Sequence, residues 1–193
     1  MSKLAVFFPG IGYTVDKPLM HYSRQIAAAE GYEIKLLPYT GFPKKIRGDR
    51  GRMEESFQIA VSQSREMLAD TDFSAYEEIL FVGKSIGTIV AGQIAKNIRT
   101  DGAAGNRIRF VLYTPLEDTF SFPLGEAIVF TGTADPWTGG KDSRIAALAG
   151  QRGYPCHLIP EANHSLETGD ALADIRNLET IMEETKRFIS AGE

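Results

Sequence analysis

The 193-residue sequence contains one cysteine, Cys156. No internal disulfide can form, so a reducing compartment is the simplest home. Nor is there an apolar run long enough to span a bilayer. Leu4–Phe8 follows a lysine and is broken at once by Pro9-Gly10, too soon for a secretory core or a membrane segment. Positive charge is not in excess: 21 Lys and Arg face 25 Asp and Glu, a net charge of −4. That balance argues against nucleic acid or an anionic membrane as the main partner. Low-complexity tracts and internal repeats are absent. What is present is ordinary for one soluble domain with a sizeable core, 43% hydrophobic and 24% charged. A cytoplasmic location is expected.

The stretch that organises the rest is Glu78–Gly92, EILFVGKSIGTIVAG. An apolar run (Ile79–Val82) enters Gly83-Lys84-Ser85-Ile86-Gly87, and a helix-compatible segment leaves it. This reads as strand, tight turn and helix, with Ser85 at the apex. Gly83 and Gly87 lack side chains where strand and helix must pack closely. With 19 Gly and 11 Ser, G-x-S-x-G arises by chance in roughly one such chain in ten. The flanking strand and helix supply the context a nucleophile elbow requires. An inert packing turn is the bland reading beside it.

Along the chain, apolar runs alternate with helical patterns. Strands are predicted at Leu4–Phe8, Glu33–Leu37, Ile79–Val82, Ile108–Tyr113, Ala127–Phe130 and Tyr154–Ile159. Helices are predicted from Pro18 to Ala29, Met53 to Leu68, after Ser85 to Ile98, Asp142 to Leu148 and Leu172 to Ile189. Asp101–Asn106 is a turn cluster. The alternation predicts an α/β fold, a predominantly parallel six-stranded sheet with helices on both faces, in one domain over residues 1–193. Near-continuous apolar strands agree with burial on both sides. Pro155 suits an edge strand or a strand start. Thr114–Gly125, between the fourth and fifth strands, is too short for a folded lid.

In such a sheet, functional loops follow the carboxyl ends of the strands. Those loops hold Gly10-Ile11-Gly12-Tyr13, Ser85, Glu117 and Asp118, Asp135, and Glu161–Glu167 with His164 at its centre. Ser, Asp and His therefore occur in that chain order at one edge of the sheet. Of three histidines, His21 falls in a helix and His157 within a strand, both structural placements. Cys156 sits in the same strand and reads as a buried, inert thiol.

At this point the chain resembles the α/β-hydrolase family over nearly its whole length. The matching segments are FFPGIGY, FVGKSIGT, FTGTADPW and EANHSLE. The resemblance is to small, lidless serine hydrolases, dienelactone-hydrolase-like ones included, without the first hairpin and cap domain. It implies Ser85 as nucleophile, His164 as general base and acid, and Asp135 as the orienting carboxylate. Glu117 and Asp118 are rivals, because some members place the acid after the preceding strand. It also implies an oxyanion hole from the backbone N–H groups of Ile11 and Ile86. Two departures stand out: Pro9 where many members carry histidine, and Lys84 beside the nucleophile. The implied activity is cleavage of a small carboxylic ester, without metal or organic cofactor. A thioesterase, amidase or peptidase with the same triad is the nearer alternative, and a non-catalytic binding protein the more distant one.

Gly12, Tyr13, Lys84 and Trp137 are candidate substrate contacts. Trp137 either walls an acyl pocket or fills the sheet edge. Glu167 either tunes His164 or marks a helix start. The loop Thr40–Arg52 carries Lys44, Lys45, Arg47, Arg50 and Arg52 against one acid, Asp49. It follows the second strand and should overhang Ser85. It is either a solvated basic loop or a site attracting a substrate carboxylate or phosphate. The partner expected is thus a small acyl compound, an anionic one on the second reading of the basic loop.

Overall fold

Side-chain alternation along each apolar run decides how the chain folds. In a computed structural model, which describes residues 2–100 and 107–191, six strands form one sheet: β1 (Lys3–Phe8), β2 (Glu33–Leu36), β3 (Glu78–Lys84), β4 (Arg107–Tyr113), β5 (Glu126–Gly132) and β6 (Cys156–Ile159). Their order is β2-β1-β3-β4-β5-β6. Every pairing is parallel. Leu4, Val6, Phe8, Phe81 and Phe110 face one core layer, while Ala5, Phe7, Val82, Val111 and Tyr113 face the other. This is the two-sided burial expected of parallel strands.

Among the described residues five α-helices cover the two faces: α1 (Pro18–Ala29), α2 (Arg50–Met67), α3 (Ile86–Thr100), α4 (Ile145–Gln151) and α5 (Ala171–Ser190). α1 and α5 pack on one face, α2, α3 and α4 on the other. β1 and β3 are neighbours, yet the chain leaves β1 for α1 and β3 for α3, on opposite faces. The crevice beyond their carboxyl ends is a topological switch point.

Three boundaries differ from the sequence reading. α2 begins at Arg50 rather than Met53, because the Asp49 side chain accepts from the Arg52 N–H (3.0 Å) and caps the first turn. The short helix expected at Asp142–Leu148 is instead a 3-10 turn, Gly140–Asp142, followed by α4 at Ile145–Gln151. Gly139 (φ 90°) and Gly140 (φ 58°) turn the chain before it, and Ser143 Oγ accepts from the Ile145 N–H. β6 starts at Cys156, with Pro155 just ahead of this edge strand. The turn cluster Asp101–Asn106 lies outside the described residues.

At the amino ends of the strands a buried cluster ties the sheet to α5. Arg109 is 0% exposed and pairs with Glu78 (3.1 Å) and Glu126 (2.9 Å). It also donates to the carbonyls of Phe188 and Ile189 in the last turn of α5, where a cation is favoured. Between β4 and β5 the chain forms only a 3-10 turn, Glu117–Ser121, and no cap domain stands among the described residues. No helix among them is long and apolar enough to cross a membrane.

Candidate active site

β3 delivers Ser85 through a backbone that only close packing permits. Ser85 has φ 54°, an uncommon conformation for a residue with a side chain. Gly87 sits against the end of β1: a Cβ there would lie 2.0 Å from the Phe8 carbonyl oxygen. Gly83 is similarly closed by Thr88, at 2.9 Å. The Thr88 hydroxyl and N–H both bond to the Ser85 carbonyl, at 2.6 and 2.9 Å. The turn is thereby held with the serine hydroxyl at the carboxyl edge of the sheet.

Two further loops converge on that hydroxyl. Ser85 Oγ lies 2.7 Å from His164 Nε2, and His164 Nδ1 lies 2.7 Å from Asp135 Oδ2. A carboxylate can only accept, so Nδ1 donates to Asp135 and the neutral ring leaves Nε2 free to accept from Ser85. Asp135 is 0% exposed; its second oxygen accepts from the Trp137 N–H at 2.9 Å. The two loops are laced together by Ala134 N–H to the Ala162 carbonyl (3.0 Å) and Glu161 N–H to Thr133 Oγ1 (2.8 Å). Gly132 belongs to this seam, where a Cβ would lie 2.1 Å from the Ala162 oxygen.

Burial lowers the His164 pKa below its ordinary value. The Asp135 hydrogen bond opposes that shift, and the positive charge of Lys84 adds to it. The net direction keeps the ring neutral at pH 7, as a general base must be.

The two expected oxyanion donors border the same cavity as Ser85. Ile86 opens α3, where the first backbone N–H groups have no acceptor inside the helix. The Ile11 N–H has no hydrogen-bond acceptor among the described residues. Its loop is folded by a Gly10–Tyr13 bridge and by Gly12 at φ 74°. Ile11, Gly12, Tyr13, Trp137 and His164 line a cavity of about 590 Å³ around Ser85. Trp137 stacks on the His164 ring, centroids 5.4 Å apart, so it stands beside the Ser85–His164 contact. Tyr13 is buried with its hydroxyl accepting from the Leu19 N–H.

Lys84 departs from the sequence expectation. It borders the Ser85 cavity, where a substrate contact is expected, yet it is 1% exposed. Its ammonium donates inward, to Thr114 Oγ1 (2.6 Å) and to the His164 carbonyl (2.7 Å), and sits over the Tyr13 ring. Successive residues at a strand end point to opposite sides, so a lysine next to Ser85 in sequence turns away from its hydroxyl. Thr114, at φ 42°, belongs to the same arrangement and carries no sequence signal.

The other candidates lie outside the Ser85–His164–Asp135 arrangement. Glu117 pairs with Arg144 (3.6 Å), and Glu117 and Asp118 border a neighbouring cleft rather than the Ser85 cavity. His157 stacks on Phe130, and His21 packs against Tyr22, both structural. Burial raises the Cys156 thiol to about 11, leaving it inert. A wider cleft of about 970 Å³ between α2 and α3 is lined by Arg65, Phe73 and Asn97 and by no histidine. Among the described residues no cluster of three or more His, Cys, Asp or Glu side chains could hold a metal ion.

No protein-family model matches the sequence, and no curated protein matches it. Solved structures do match the fold. A protein of Agrobacterium vitis S4, provisionally assigned as a hydrolase, aligns with TM-score 0.68 and 13% identity over 97% of this chain and 88% of that one. A Xanthomonas campestris protein described as an α/β serine hydrolase without a lid aligns at 0.61 and 12%, over 98% and 81%. Mouse α/β hydrolase domain-containing protein 10 aligns at 0.65 and 9%, over 98% and 90%. At such identities the likeness is one of fold: the chain has the α/β-hydrolase fold, with no cap domain among the described residues.

Proposed function

We propose that this α/β-hydrolase-fold chain is a serine hydrolase that cleaves a small carboxylic ester or related acyl compound through an acyl-Ser85 intermediate. The observation that carries the reading is the pair of 2.7 Å contacts running Ser85–His164–Asp135. Fold alone would not suffice, since one fold hosts many functions.

In the proposed reaction, Ser85 Oγ attacks the acyl carbon as its proton passes to His164 Nε2. Asp135 holds the imidazolium that forms. The Ile11 and Ile86 N–H groups receive the oxyanion; each such donor typically supplies about 2.7–4 kcal/mol of transition-state stabilisation. His164 then gives its proton to the leaving oxygen as the carbon–oxygen bond breaks. A water, deprotonated by the same nitrogen, attacks the acyl-enzyme and releases the acid and free Ser85. The cavity at the open sheet edge, uncapped among the described residues, favours small or accessible substrates.

A fluorophosphonate probe and p-nitrophenyl acetate test the reading. Wild type should gain one probe mass on Ser85 and show ester turnover, and Ser85→Ala should lose both. A folded wild type that neither labels nor turns over defeats it, as does equal labelling of the alanine variant.

A further inference from the structure

One wall of the Ser85 cavity comes from the segment after β2. Pro43, Lys44, Lys45, Ile46 and Arg47 line it together with Trp137 and His164. None of the residues lining this cavity is an aspartate or glutamate, although acids outnumber bases in the chain, 25 to 21.

The segment is a built structure. Ile46 is buried and anchors it. Arg52 Nη1 donates to the carbonyls of Lys44 (2.9 Å) and Lys45 (3.4 Å). Lys45 itself is held at φ 56°. Upstream, Thr40 exchanges two hydrogen bonds with the Gln63 side chain, at 3.0 and 2.9 Å. Asp49, the one acid between positions 40 and 52, is already engaged by Arg52 (3.3 Å) and by capping α2. Lys44, Lys45 and Arg47 are exposed and make no ion pair with an acid among the described residues.

We propose that Lys44, Lys45 and Arg47 form an anion subsite, and that the substrate at Ser85 carries a carboxylate or phosphate distal to its scissile acyl group. This rests on the reading of Ser85 as nucleophile. Three cations without an acid partner on the wall of a concave site concentrate an anionic substrate and orient it. The tie from Arg52 fixes the segment's backbone, which reduces the ordering cost of binding.

The test compares esters matched in length: p-nitrophenyl butyrate, mono-p-nitrophenyl succinate, and the p-nitrophenyl ester of 3-phosphonopropionic acid. Wild type should prefer one anionic ester over butyrate, and whichever is preferred separates carboxylate from phosphate. In Lys44→Glu/Lys45→Glu the anionic-to-neutral ratio of kcat/KM should fall about tenfold or more, mostly through KM. Lys96→Glu/Lys186→Glu, the same charge change on remote helices, should keep the ratio.

A second readout does not need turnover. Trp137 is the sole tryptophan and borders the cavity, so its fluorescence should respond to titration with succinate or inorganic phosphate in wild type and not in the reversed variant. A ratio unchanged within about twofold, or identical titrations of the two proteins, overturns the anion subsite while fluorophosphonate labelling still stands. Loss of labelling in wild type with an intact titration overturns the hydrolase reading and leaves the subsite.

Discussion

The Lys84 ammonium donates a 2.7 Å hydrogen bond to the backbone carbonyl of His164, the residue whose ring faces Ser85. Thr114 Oγ1 donates to the same carbonyl at 3.1 Å. One buried cation thus ties the end of β3 to the loop after β6. Without it, the His164 carbonyl would lose its charged donor, and the loop one of its anchors to the elbow.

Lys84→Met should therefore lower kcat by about tenfold or more, with a smaller change in KM, because the 1 Å placement of a base matters steeply. The pH profile separates electrostatics from mere loosening. Lys84 depresses the His164 pKa, so removing its charge should move the acidic limb of kcat/KM to higher pH. A variant with lower kcat but an unmoved limb would leave Lys84 a purely mechanical tie.

The same lysine makes stability depend on pH. Burial brings its pKa from 10.5 to about 7. Between about 7 and 10 the unfolded chain holds a proton that the folded chain has released, so the unfolding free energy rises with pH across that window. Urea melts at pH 7, 8 and 9 should show a rising midpoint in wild type and a flatter series in Lys84→Met. Parallel series for the two proteins would contradict this assignment.

The assignment of the acid is equally open to test. Asp135 is buried and 2.7 Å from His164, whereas Glu117 is paired with Arg144. Asp135→Asn should slow ester turnover by roughly 10⁴-fold by disturbing the tautomer, and Glu117→Gln should stay within about twofold of wild type. Steady-state kinetics of the two variants decide it; the reverse pattern would move the acid to the β4 loop.

How much of this was legible in the sequence follows from the range of each signal. The strands were visible because burial on both faces leaves continuous apolar runs such as Leu4–Phe8. The elbow was visible because Gly87 has backbone 2.0 Å from where its Cβ would lie, and local sterics leave a local mark. Asp135 and His164 could be nominated because strand ends are where loops converge. The direction of Lys84 was not legible, since it depends on a carbonyl 80 residues away. Nor was the start of α2, where Gly51 masked a helix capped by Asp49. Arg109 gave no warning either: inside RIRFVLY it contradicts the apolar pattern, and only the register of β3, β4 and β5 brings Glu78 and Glu126 to it.

That arginine supplies the last prediction. Arg109 is fully buried, with two carboxylates and two α5 carbonyls as partners. Truncating it leaves the nearly buried Glu78 with only the Tyr32 hydroxyl and Arg107 as partners, beside an unfilled space. Arg109→Ala should cost about 3–5 kcal/mol, the range for breaking a buried pair from one side. Arg109→Met with Glu78→Gln removes the charge on both sides while keeping most of the volume, and should recover a large part of the loss. The network lies at the amino ends of the strands and Ser85 at the carboxyl end of β3. Ester turnover per folded molecule, measured at a temperature where Arg109→Ala is still native, should therefore match wild type. Urea denaturation of the two variants checks the energetics, and active-site titration with the fluorophosphonate probe checks the separation. A fall in turnover per titrated site would mean that the two ends of the sheet are coupled.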